Sequence, residues 1–210
     1  MPNPLSQHDY VLLDVAVRCV SQFNVPFARE IWDVSAVATK RRLAKLEKRG
    51  LIKSRKVLAS QPPPINKPLC IWKPGEALPN SGKVAYQARN RWKTLPVEVQ
   101  RIYYASDLGR GLLGRGILPR PKDIQATHDL GLSLTFLAYR RRWPKLTQRC
   151  WLNESEYSSH RGRCVKVEDA MLKLGSRVMQ MIDFAGAYRP DRVQALLEHA
   201  QYHHVPISIF

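Results

Sequence analysis

Residues 35 to 56, SAVATKRRLAKLEKRGLIKSRK, carry nine lysines and arginines against one acid, Glu47, yet Leu43, Leu46, Leu51 and Ile52 run through them. So many cations cannot be buried together, so only one stripe of the segment can face a core. Ser35 stands where a helix N-cap belongs, and Gly50 stands where a helix over 36–49 would stop. Val37 or Thr39, with Leu43 and Leu46, supply the inward stripe. Lys40, Arg41, Arg42, Lys45, Lys48 and Arg49 are then forced onto the outer surface.

The flanking sequence supplies a scaffold for such a helix. LSQHDYVLLDVAVRCVSQFN predicts a helix capped by Ser6, with Asp9 in its first turn and Leu12, Val15, Ala16, Cys19 and Phe23 on one face. PFAREIWDV predicts a second, short helix opening on Pro26. After Gly50, LIKSRKVLAS alternates like a strand, QPPPINK is a turn, and PLCIWKP reads as the returning strand. Three helices and a hairpin are the order of a winged helix-turn-helix domain, expected over residues 1–75. The string RRLAKLEKRGLIKSRK resembles the recognition-helix-to-wing passage of bacterial winged-helix regulators. That resemblance implies a third helix lying in a major groove, its N-terminal half nearest the bases. Thr39, Lys40 and Arg42 are the candidates for base edges. Lys45, Arg49, Lys53, Arg55, Lys56 and Lys67 are the candidates for phosphates, and Ser35 and Arg41 complete the expected DNA-binding set. The competing reading is a solvated helix face.

Charge points the same way. The 210 residues are 44% hydrophobic, enough for a core, and hold 34 basic against 17 acidic residues, a formal +17. This favours a polyanionic partner: nucleic acid first, then an acidic membrane surface or an acidic protein. No apolar run approaches the roughly 18 residues of a membrane span, and MPNPLSQHDY lacks the basic-then-apolar order of a secretion signal. A cytoplasmic, nucleoid-associated protein is expected, with no membrane partner. Cys19, Cys70, Cys150 and Cys164 form no C-x-x-C pair, so reduced, packed thiols are expected. A zinc site from Cys150, His160 and Cys164 fits no strong spacing pattern.

Residues 76–122 read as a connector. GKVAYQARNRWKTLP and VEVQRIYYASDL look like helices, and GRGLLGRGILPRPKD like a loop. The string GRGLLGRG lacks the Gly-Lys-Ser/Thr ending and a preceding strand, which argues against ATP binding. Arginines interleaved with Trp92, Tyr103 and Tyr104 could touch DNA, although packed aromatics are the simpler reading.

Residues 123–210 predict helix, three strands, helix, strand. The helix DIQATHDLGLSLTFLAYRRRWP turns Ile124, Leu130, Leu134 and Leu137 inward, and the chain after Cys164 breaks at Gly175 into a hairpin. RPDRVQALLEHAQYHH is an amphipathic helix with Val193, Leu196, Leu197 and Ala200 inward, and VPISIF a last strand. With THDL, WLNESE, VKVEDAMLKL and IDFAGAYRPDRVQALLEH in this order, the half resembles the replication-relaxation family of bacterial plasmids and mobile elements. The resemblance implies a winged helix followed by a degenerate restriction-endonuclease-like domain, an α+β protein overall. Asp169 takes the first carboxylate position of that nuclease pattern, with Glu168 in place of Pro, and Asp183 falls near the second. Asp183-Phe184-Ala185 lacks the Lys, so catalysis is not expected. The alternative is a Mg²⁺-dependent nuclease using Asp169, Asp183 and Glu154, with Glu156 auxiliary. The competing reading gives these acids local structural hydrogen bonds. His128, His199, His203 and His204 show no pairing logic. The resulting expectation is a sequence-specific double-stranded-DNA-binding protein of a plasmid or mobile element. It would need no cofactor, would act as regulator or as replication or transfer accessory factor, and would form a homodimer, with further protein partners in a mobile-element complex. An adaptor binding an acidic protein through the same basic surface is the remaining rival.

Overall fold

A computed structural model describes residues 5–62, 65, 67–93, 95–117, 120–157 and 168–210. In chain order its elements are α1 (Gln7–Arg18), α2 (Val25–Trp32), α3 (Ala36–Lys48), β1 (Ile52–Ser60), β2 (Cys70–Trp72), α4 (Ser81–Lys93), β3 (Val97–Ala105) and α5 (Asp107–Leu112). After a 3-10 turn (Asp123–Gln125) come α6 (Ala126–Arg142), α7 (Pro144–Cys150), β4 (Trp151–Asn153), α8 (Glu154–Tyr157), β5 (Ala170–Leu174), β6 (Arg177–Asp183), α9 (Pro190–Tyr202) and β7 (Ile207–Ile209). The protein is therefore mixed α+β. It divides into two compact units, one of residues 1–61 and 97–133, the other of 62–96 and 134–210.

The first unit starts as local chemistry dictates. Ser6, Asn24 and Ser35 each accept a backbone N–H from the first turn of α1, α2 and α3, and the left-handed Gly50 (φ 70°) closes the third helix. Leu12, Leu13, Val15, Phe23, Phe27, Trp32, Leu43 and Leu46 are buried, and the Trp32 indole N–H donates to the His8 carbonyl at 2.8 Å. The ladder that follows differs from expectation. β1 pairs antiparallel along its whole length with β3, from Ile52 opposite Ala105 to Ser60 opposite Val97. Residues 97–105 are thus a strand, not a helix; Val97, Val99, Ile102, Tyr103 and Tyr104 are β-branched or aromatic and suit a pleated surface. Phe23 adds an isolated bridge to Tyr103, with reciprocal N–H···O bonds of 2.9 and 2.7 Å. Val57, Ala59 and Ile102 on one face of the ladder pack with Ala126 and Leu130 of α6. Ile124, expected inward, is 91% exposed because it sits in the 3-10 turn, outside the periodicity of α6.

The second unit is a five-stranded sheet in the order β2-β7-β6-β5-β4. β5 and β6 form the expected hairpin at Gly175, β6 and β7 run parallel, and α9 is the connection between them in the chain. PLCIWKP therefore does not return to β1: its Cys70–Trp72 pairs with Ile207–Ile209 of β7. Trp72, Val84, Ala85 and Ala88 join Val193, Leu196, Leu197, Ile207 and Ile209 in one core. Burial of Trp72, with its indole N–H donating to the Glu76 carbonyl at 3.0 Å, explains why this strand belongs here. The expected divisions at 75 and 122 therefore do not coincide with the compact units. The C-terminal order of helix, three strands, helix and strand is present, with α7 and α8 interposed. His160 and Cys164 lie outside the described residues, so the zinc arrangement is not represented; Cys150 is buried. No described helix is long and apolar enough to cross a membrane.

Candidate nucleic-acid interface

On α3 the burial of Leu43 and Leu46 fixes the helix rotation, and the outward face follows from it. Lys40, Arg41, Lys45 and Lys48 are exposed, as is the capping Ser35. Thr39 is completely buried and its hydroxyl donates to the Ser35 carbonyl at 2.9 Å, so it cannot reach a base. Val37, the other candidate for the inward stripe, is 78% exposed. Arg42 is half-buried, its guanidinium 5.6 Å from the centre of the Trp32 ring. Arg49 is half-buried as well, with Nη1 shielded from solvent and without a hydrogen-bond partner among the described residues.

The ladder divides its cations similarly. Lys53 and Lys56 are exposed, and the register sets Lys56 directly opposite the exposed Arg101. Two like charges facing each other across a ladder destabilise it unless an anion lies over them. The helix reading of 97–108 concealed this pairing; only the strand register shows it. Arg55 is turned away and its side chain is 8% exposed. It pairs with Asp123 at 2.9 Å, donates to the Pro121 carbonyl at 2.6 Å and to Gln22 at 3.2 Å, and lies over the Tyr104 ring. Arg55 thus ties β1 to the segment before α6 and is not available to phosphate. Lys67 is exposed but belongs to the second unit, so the expected set is not brought together there. Tyr103 stacks on Phe23 at 5.7 Å, and Trp92 donates to the Ala185 carbonyl at 2.7 Å; both are packing residues. Arg91 lies 4.4 Å from the Phe184 ring and donates to the Ala185 and Phe210 carbonyls. Burial lowers its pKa to about 10.

The acids of the second unit do converge. Asp169 and Asp183 are buried at the open end of the β5–β6 hairpin, away from the turn at Gly175. The Phe184 N–H donates to Asp169 Oδ2 at 2.9 Å, and the Tyr188 hydroxyl bonds to Asp183. Burial, then the charges of Asp183 and Asp169, push the Tyr188 phenol well above its ordinary range. Glu154 donates its backbone N–H to the Asp169 carbonyl at 2.9 Å. The implied Mg²⁺ does not fit this set. Asp169 already receives the Phe184 N–H, and no group of three potential ligands able to hold a metal occurs among the described residues. His199 approaches Glu168 at 3.7 Å and stacks edge-on with His203 at 4.4 Å, a pairing the sequence did not suggest.

No protein-family model, curated protein or solved structure matches the chain.

Proposed function

We propose that the protein binds double-stranded DNA sequence-specifically through a winged helix formed by its first unit. The observation that carries this reading is the outward face of α3: Lys40, Arg41, Lys45 and Lys48 are solvent-exposed above a stripe made by Thr39, Leu43 and Leu46. Supporting it, the order α1, bridge at Phe23, α2, α3, β1, β3 is that of a winged helix whose first short strand joins the last. In this reading α3 enters the major groove, and Lys53, Lys56 and Arg101 of the ladder hold the flanking backbone. Lys40 and Arg41 replace Thr39 as the residues nearest base edges. The β5–β6 hairpin, α9 and parallel β7 support a degenerate nuclease-like second unit, used for contacts rather than cleavage. A cytoplasmic role on a plasmid or mobile element, as regulator or replication or transfer factor, follows from the family resemblance. So do a two-fold dimer on paired half-sites and protein partners in a larger complex.

Selection of bound duplexes from a random pool, followed by salt titration, tests the proposal. A recovered motif is expected, with affinity falling about 10³ to 10⁵-fold between 50 and 200 mM salt if six to ten phosphates are engaged. Binding that is flat across that range, or displaced equally by an acidic protein and by duplex, would reject it. Plasmid incubated with Mg²⁺ or Mn²⁺ is expected to stay intact. Nicking abolished by Asp169→Ala would instead favour the nuclease.

A further inference from the structure

The first unit carries a second surface, at the opposite end of α3 from its cap, that the DNA reading does not use. A groove of about 610 Å³ is lined by Arg49, Leu51, Asp107, Leu108, Gly111 and Leu112. Leu108 and Leu112, four residues apart on α5, are 61% and 52% exposed. Leucines at this spacing on one helix face normally point into a core. Here they point out, although α5 itself is held firmly. Ser106 caps it and also bonds the Gly50 carbonyl at 2.5 Å. Arg110 is buried and donates to the Val17 and Gly116 carbonyls. Gly109 lies so close to Leu51 that a Cβ there would come within 2.2 Å of the Leu51 carbonyl oxygen. The helix cannot roll to bury its leucines, so they face outward by construction.

The charges beside the leucines indicate what covers them. Arg49 and Asp107 both line the groove, yet no ion pair joins them. A duplex would be repelled by Asp107 and gains nothing from leucines. A surface holding one cation, one anion and an apolar strip is complementary to itself. In a two-fold contact residue i meets j and j meets i, so Arg49 of each chain can meet Asp107 of the other while the leucines close between them. We propose that this groove is a homodimer interface, with a second copy of the chain as its occupant. The proposal deepens the dimer reading above and rests on it. The apolar strip is small, which places the contact among weak, transient interfaces, so self-association is sought at about 1 to 100 µM chain.

Sedimentation of the full chain without DNA tests it. A monomer–dimer equilibrium is expected in that concentration range. Leu108→Glu should shift it to monomer while leaving the circular dichroism spectrum unchanged. Arg49→Asp and Asp107→Arg should each weaken self-association, since like charges then meet twice. A mixture of those two proteins should form a dimer again, because each chain then presents to the other the charge it needs. A chain that stays monomeric throughout, a dimer indifferent to Leu108→Glu, or a mixture that fails to associate would each overturn the assignment. Because no DNA is present, any of these failures leaves the duplex-binding proposal to stand or fall on its own titration.

Discussion

At the scale of single residues, identical side chains a few positions apart have opposite tasks. Arg55 and Lys56 are neighbours in β1, and the alternation of the strand sends one beneath Tyr104 and the other toward Arg101. Replacing Arg55 with Ala removes a shielded guanidinium that bonds Asp123, Pro121 and Gln22. Urea unfolding should show a loss of about 1.5 to 3 kcal/mol, typical of charge-assisted hydrogen bonds, with little change in the salt slope of DNA binding. Lys56→Ala should do the reverse: stability is kept and the slope of log K against log salt falls by about 0.9. Equal effects of the two substitutions would contradict the separation. Two phenols make a second test. Burial raises Tyr139 to about 12, with the Ser208 bond and Arg142 acting the other way, and Tyr188 is raised further. Both are protonated in the folded state where the unfolded chain has already lost the proton. Their contribution is therefore complete below the ordinary phenol pKa of about 10 and is lost as pH rises through the folded values. Arg91, lowered to about 10, works in the opposite direction over the same alkaline range. The phenolate absorbance of these two tyrosines should appear only together with loss of helical signal. An early, complete phenolate signal from a folded chain would refute this.

At the scale of elements, α5 gives the sharpest contrast. Gly109→Ala drives a methyl into the Leu51 backbone and should lower the melting temperature, at a cost of about 1 to 3 kcal/mol typical of overpacking. Gly111→Ala, two residues on with open space around its Cβ position, should raise it by up to about 1 kcal/mol through helix propensity. Thermal unfolding of both variants checks the pair, and matching shifts would mean that α5 is not seated on Leu51. The legible elements were those whose signals are local. Ser6 and Ser35 with the apolar spacing behind them located α1 and α3, Gly50 and Gly175 located a helix end and a hairpin, and Pro26 opened α2. What misled was VEVQRIYYASDL. Its apolar residues can be read at either period, and only the company of β1 makes it a strand. The candidate interface was partly legible for the same reason. Leu43 and Leu46 gave the rotation of α3, and the spacing that offered Thr39 to the inward stripe was the sound part of its reading, not its role at base edges; nothing local announces the proline carbonyl waiting for Arg55.

At the scale of the whole chain, the two units are interleaved along the sequence: residues 62–96 leave the first unit after β1 and belong to the second, and 97–133 return. A fragment ending at residue 75 has β1 without β3 and should fail to fold, with a circular dichroism spectrum lacking cooperative melting. Because Ser60 is paired with Val97, joining residue 60 to residue 97 through a two-residue Asn-Gly turn should close the ladder and give a fragment that melts cooperatively. A folded 1–75 fragment would contradict the pairing. The sequence by itself determined where helices start and stop and which of their faces are apolar, because caps, glycines and periodicity act over one or two turns. It also determined that the chain is strongly basic, and hence the kind of partner to look for. Only the tertiary structure decided that β3, and not β2, completes the ladder with β1, and that β2 serves β7 from the far end of the chain. Short alternating segments offer equivalent backbone donors and acceptors to any strand. The choice among them is made by which arrangement buries Trp72, Ile102 and Ile209 together with their non-local neighbours, and no window of sequence contains that sum.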